Sequence, residues 1–118
     1  MTWAEAVEII EEKYGVKAQF LWADLPNFAV FRHSVGKKKW FALAMNGLEN
    51  AKFGREIPGV SDVLNLKIDP ELGAILRDEK AIFRAYHMNK THWISVCLDA
   101  LPDQEIADLI EQSFELTK

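Results

Sequence analysis

The stretch FAVFRHSVGKKKWFALAM, residues 28–45, decides the fold. Phe28 to Ser34 and Lys39 to Met45 are rich in Phe, Val and Trp. Val35-Gly36-Lys37-Lys38 separates them, so the two runs read as the strands of a β-hairpin. From Trp40 to Met45 apolar side chains fall on both faces of the strand, which suggests a strand covered on both sides or partly buried by a neighbouring loop.

Upstream, Gln19 to Trp22 forms a further short β-type run. Before it, Thr2 and Glu5 match a capping box, and Trp3, Val7, Ile10 and Tyr14 recur at helical spacing up to Gly15, predicting a helix over residues 3–14. Downstream, Asn46 to Ser61 holds three of the six glycines and Pro58 without any period, and reads as a long loop. Asp62 to Ile68 alternates, with Leu64, Leu66 and Ile68 on the core side. Asp69-Pro70-Glu71 then opens a helix that continues through Leu72, Ile75 and Leu76 to Glu79. His92 to Leu98 alternates again as the last strand. From Pro102 or Asp103 onward, Ile106, Leu109, Ile110 and Phe114 form the apolar stripe of a closing acidic helix. The order is helix, three strands, a fourth strand, helix, strand, helix. It predicts one α+β domain over residues 1–118, with two layers: a mostly antiparallel sheet of about five strands and three helices on one face.

The chain of 118 residues is 49% hydrophobic, enough for one core, and carries a formal charge of −4. That balance excludes a uniformly basic nucleic-acid or membrane-surface binder. No apolar run approaches the roughly 20 residues of a membrane span, and Thr2, Glu5 and Glu8 stand where a secretory leader needs positive charge and an apolar run. The single cysteine, Cys97, excludes an internal disulfide and fits a reducing, cytoplasmic setting. Gly-rich phosphate loops, Gly-x-Ser-x-Gly and His-Glu-x-x-His are absent, and the expectation is a non-enzymatic protein without cofactor or metal.

Tyr86-His87-Met88-Asn89-Lys90-Thr91-His92-Trp93 resembles the MmcQ/YjbR family of small bacterial proteins. So do the Tyr14-Gly15 helix end, Ala29-Val30-Phe31-Arg32-His33, Trp40-Phe41-Ala42, Leu64-Asn65-Leu66-Lys67 running into Asp69-Pro70, Leu98-Asp99, and the helix from Ile106 to Leu116. The resemblance covers almost the whole chain. It implies a compact α+β fold similar to type III secretion chaperones, and a DNA-binding function.

Charge is unevenly spread: residues 32–55 carry a net +5 and residues 83–95 a net +2, while the remaining segments are acidic. Arg32, Lys37, Lys38, Lys39, Arg84, Lys90 and His92 are the candidate phosphate contacts. If the two basic regions meet, Trp40, Tyr86 and Trp93 are placed to stack on bases. Binding of this kind would be mainly to phosphate and weakly sequence-specific. A lysine-rich hairpin tip has a plainer use, since charge there blocks edge-to-edge aggregation. His87 and His92 have no neighbouring Asp, Glu or Cys to complete a metal shell, so structural hydrogen bonding is the expected role. Asn89 reads as a turn-former, and Cys97 as buried packing. Two other readings stay open. One is a protein-interaction module that uses an apolar strip or sheet edge for a partner protein or for self-association. The other is a small-anion site at Tyr86 to Trp93 that includes His87 and Asn89.

Overall fold

A computed structural model describes all 118 residues. The first helix, α1, spans Trp3–Tyr14. Thr2 accepts from the Glu5 N–H while Glu5 reaches back to the Thr2 N–H, the reciprocal cap the sequence predicts. Gly15, at φ 63°, ends the helix in the left-handed region.

Five strands follow: β1 (Phe28–Arg32), β2 (Trp40–Glu49), β3 (Val60–Lys67), β4 (Ile82–Arg84) and β5 (Trp93–Cys97). They form one antiparallel sheet in the order β1-β2-β3-β5-β4. Helix α2 (Pro70–Leu76) lies between β3 and β4, and α3 (Asp103–Leu116) closes the chain. The expected architecture of three helices and a five-stranded α+β sheet is therefore present, with four differences in its elements. Gln19 to Trp22 is not a strand, because only Gln19 bridges to Val30 and the chain then leaves the sheet. The expected loop from Asn46 is shorter, since β2 runs to Glu49 and β3 begins at Val60. Helix α2 stops at Leu76 rather than Glu79, and the fifth strand is the three-residue β4.

Both faces of the sheet are covered. On one, Leu64, Leu66, Ile94 and Val96 pack against Ala6 and Ile10 of α1 and Ile106 and Ile110 of α3. On the other, Val30, Leu43, Met45, Val63, Phe83 and Cys97 are covered by irregular chain: Trp22, Phe53, Tyr86 and Met88. A buried polar pair organises that second face. Ser95 Oγ donates to Asn65 Oδ1 (2.5 Å), Asn65 Nδ2 donates to the Tyr86 carbonyl (2.7 Å), and the Tyr86 N–H donates to Ser95 Oγ (2.9 Å). Both backbone groups of Tyr86 are satisfied by the sheet beneath it, which fixes the path of Tyr86-His87-Met88.

Candidate functional site

The β1–β2 turn carries three consecutive lysines on a tight backbone. The His33 N–H donates to the Lys39 carbonyl (2.9 Å) and the Lys38 N–H to the Val35 carbonyl (3.2 Å), with Gly36 and Lys38 both at positive φ. The turn leans over the end of α3, leaving a cleft of about 470 Å³ lined by His33, Lys37, Lys38, Lys39, Thr117 and Lys118, together with Phe114. No Asp or Glu lines it. A shallower cleft of about 290 Å³ on the neighbouring side is lined by Lys17, Arg32 and Lys38. His33 is the floor of the cluster. It is buried, its ring packs against Phe41 and Phe114, and Nε2 lies 2.8 Å from Thr117 Oγ1. The Thr117 hydroxyl donates to the Ser113 carbonyl, so His33 Nε2 is the donor to Thr117.

Lys17, Arg32, Lys37, Lys38 and Lys39 form no ion pair; the pairs that exist engage Met1, Lys13, Arg55 and Lys118. The Arg32 Nε is buried with no hydrogen-bond partner. Arg55, in the same basic stretch of sequence, is spent on structure: it donates to Ser61 (2.8 Å) and pairs with Asp99 (3.1 Å).

The second basic region does not join this cluster. β1 and β4 are opposite edges of the sheet, four strand spacings or about 19 Å apart. Register puts Arg32 opposite Trp40 and Arg84 opposite Ile94, so the two regions share one end of the sheet without touching. Lys90 Nζ donates to the Ala85 carbonyl (2.7 Å), and Arg77 donates to the Lys90 carbonyl (2.6 Å). Asn89 accepts from the Thr91 and His92 N–H groups, the turn role its sequence implies. His92 is exposed, and Trp93 is half-buried with Lys67 Nζ 5.6 Å from its ring. Trp93 and Trp40 therefore do not form one stacking platform.

Trp40 belongs instead to an aromatic group on the second face. Trp22 meets Trp40 edge-on at 5.9 Å and Phe28 at 6.4 Å between ring centroids. Tyr86 packs on His87 at 4.0 Å, and His87 sits at φ 62°. Cys97 is buried, and desolvation pushes its thiol up to about 11, so it is a packing group rather than a nucleophile. No group of three or more His, Cys, Asp or Glu side chains converges as a metal site would. No helix is long and apolar enough to cross a membrane. Sequence reading missed Lys17, Lys118 and Trp22. Their neighbours are remote in the chain, and no local signal links them.

Residues 11–116 match the model of the YjbR family. The chain is 46% identical over 110 residues to the uncharacterized protein YyaQ of Bacillus subtilis (strain 168), covering 92% of each. It is also similar to a crystal structure of a Pseudomonas syringae protein, at 42% identity and a TM-score of 0.93 over the whole of both chains. The Deinococcus radiodurans protein DR2400, with a DUF419 domain, superposes with a TM-score of 0.74 at 28% identity, covering 98% of this chain and 77% of that one. With the five-stranded sheet, its helices and this coverage in agreement, the chain belongs to the YjbR family.

Proposed function

We propose that this protein binds DNA through the cation cluster at the β1–β2 turn, mainly by phosphate contacts and with weak sequence specificity, in a binding rather than a catalytic role. One observation carries the reading. Lys37, Lys38, Lys39 and Lys118 line a single open cleft without an acidic side chain, in a molecule whose formal charge is −4. Cations placed to suppress aggregation alone have no reason to gather round a concave surface. The ammonium groups of Lys37, Lys38 and Lys39, which form no ion pair, are suited to displacing the counterions of a polyphosphate backbone, while Lys118 is shared with Glu115. The core of the interface is Arg32, Lys37, Lys38 and Lys39, extended by Lys17; Arg84 and His92 lie at the far side of the same sheet end.

Fluorescence anisotropy of a labelled duplex at about 50 and 200 mM salt tests the reading. Saturable binding that weakens steeply over this range is expected. Lys37→Glu with Lys39→Glu should weaken binding to all sequences alike, and each lost lysine should lower the salt slope by about one. Unchanged affinity in the double variant would show that the turn is not the contact surface.

A further inference from the structure

The second face of the sheet carries a cleft of about 380 Å³ walled by Trp22, Leu25, Phe28, Trp40, His87 and Met88. Its volume falls within the roughly 300 to 1,000 Å³ of small-ligand sites. Both walls are held in place. Trp22 is braced edge-on against Phe28 and Trp40, while Tyr86-His87-Met88 is pinned by the buried Asn65–Ser95 pair. His87 and Phe28 also line an adjoining polar cleft of about 240 Å³, where Asn27, Asn46 and Lys52 stand beside the carboxylates of Asp24 and Glu49, groups that can accept from a base edge but repel phosphate. The Asn46 N–H donates to the Asn27 carbonyl (3.1 Å), which keeps the two residues side by side. The combination is an aromatic slot that opens onto amide side chains.

We propose that this cleft receives an unpaired nucleobase, and that the protein therefore prefers single-stranded nucleic acid to duplex. The proposal rests on the phosphate-binding reading above and specifies its substrate. A base has the two properties the site selects for: a flat π-face for the indole and phenyl rings, and a donor–acceptor edge that amides match. In a duplex that face is covered by its neighbours and that edge is paired, so only an unstacked base fits. A single strand rather than a free nucleotide is the occupant because Trp40 directly follows Lys37-Lys38-Lys39 and lies opposite Arg32 across the β1–β2 pair. Arg32 across the pair and Lys39 next in the chain thus set cations at the margin of the slot. The lysine cleft itself opens on the α3 side of the sheet, so a strand bound to both must pass round the β1–β2 turn.

The test compares four probes by anisotropy or competition at about 50 mM salt. They are a labelled oligothymidylate of about 12 nucleotides, the same strand annealed to its complement, an abasic strand of equal length, and thymidine monophosphate. The base-bearing single strand should bind at least about tenfold tighter than the duplex or the abasic strand. Trp22→Ala should abolish that preference and leave duplex affinity unchanged. Because this truncation also uncovers the second face, Leu25→Trp provides a variant that fills the cleft and keeps the apolar cover; it should abolish the preference too. Equal affinity of the wild-type protein for single strand, abasic strand and duplex would overturn base capture while leaving the phosphate reading intact. Absence of binding to every strand would overturn the phosphate reading, and this proposal with it. Thymidine monophosphate binding as tightly as the oligonucleotide would overturn the assignment to a single strand.

Discussion

Asn65 and Ser95 occupy central positions of β3 and β5, where an apolar pair would pack without hydrogen-bonding demands. Their role lies in what they hold, the Tyr86 backbone. Asn65→Ala removes the donor to the Tyr86 carbonyl and leaves the Ser95 hydroxyl without its acceptor, so it should cost about 1–3 kcal/mol in urea unfolding. A second clasp joins α1 to α3, where the Tyr14 hydroxyl donates to Glu111 Oε2 (2.5 Å) and Lys13 lies 3.6 Å from the same oxygen. Burial, then the bond to Glu111, raises the Tyr14 hydroxyl above its ordinary 10.0; the same bond lowers Glu111 below 4.5. A lowered carboxyl stabilises the fold above its unfolded value and a raised phenol stabilises it below its own. The clasp should therefore act in full between about pH 5 and pH 10 and fade on either side. Tyr14→Phe keeps the stacking on Phe114 and should lose about 1 kcal/mol at pH 7. As pH falls below the carboxyl's ordinary 4.5 the difference between wild type and variant should shrink, and a difference that stays constant down to full protonation of the carboxylates would argue against the clasp.

Among the elements, α2 is short and is fixed at its start and on its sheet-facing side. Asp69 accepts from the Glu71 and Leu72 N–H groups at its start, and Gly73 faces the sheet, where an added Cβ would come within 2.9 Å of Ile68 Cγ2. Gly73→Ala gains about 1 kcal/mol of helix propensity but forces a methyl against a buried isoleucine, an overpacking cost of about 1–3 kcal/mol. Ile68 is 2% exposed and has nowhere to move, so the clash should win and lower the melting temperature. A rise would show that the helix shifts freely. The elements also separate what local sequence specifies from what it does not. Helix α1, the β1–β2 hairpin, β5 and α3 were legible, because caps and periodicity are local signals carried by Thr2, Glu5, Gly36 and the Ile106–Phe114 stripe. β4 was not, since three residues cannot display a period and its partner lies beyond an intervening turn. Gln19 to Trp22 has strand composition, yet Trp22 is drawn onto the second face by Phe28 and Trp40, a tertiary demand that overrides propensity. The lysine run was visible in the sequence. That Lys17 and Lys118 join it while Arg84 does not depends on sheet order, which no local pattern encodes.

Across the whole molecule, stability and the proposed binding surfaces are segregated. β3 is paired on both sides and buried on both faces, with Val63, Leu64, Asn65 and Leu66 all inaccessible. Its amides can exchange with solvent only when the fold opens globally, at a cost of roughly 5 to 15 kcal/mol. β4 is a three-residue edge, and residues 20–27 are tied to the sheet by the Gln19–Val30 bridge at one end and by tight turns at the other, so both should open locally at lower cost. The Trp22 wall of the aromatic cleft thus lies in a readily opening part of the molecule, whereas the Tyr86-His87-Met88 wall is tied to Asn65 and Ser95 of the sheet. Binding appears as protection only in the segments that touch the ligand, because a ligand stabilises only the openings that release it. Amide hydrogen exchange followed by NMR should show β3 slowest and residues 20–27 among the fastest in the free protein. Saturating oligothymidylate should then slow residues 22–28 and 86–88 together with the turn at 35–39, while β4 stays unchanged. Protection confined to 35–39 would locate the phosphate contact and leave the aromatic cleft empty.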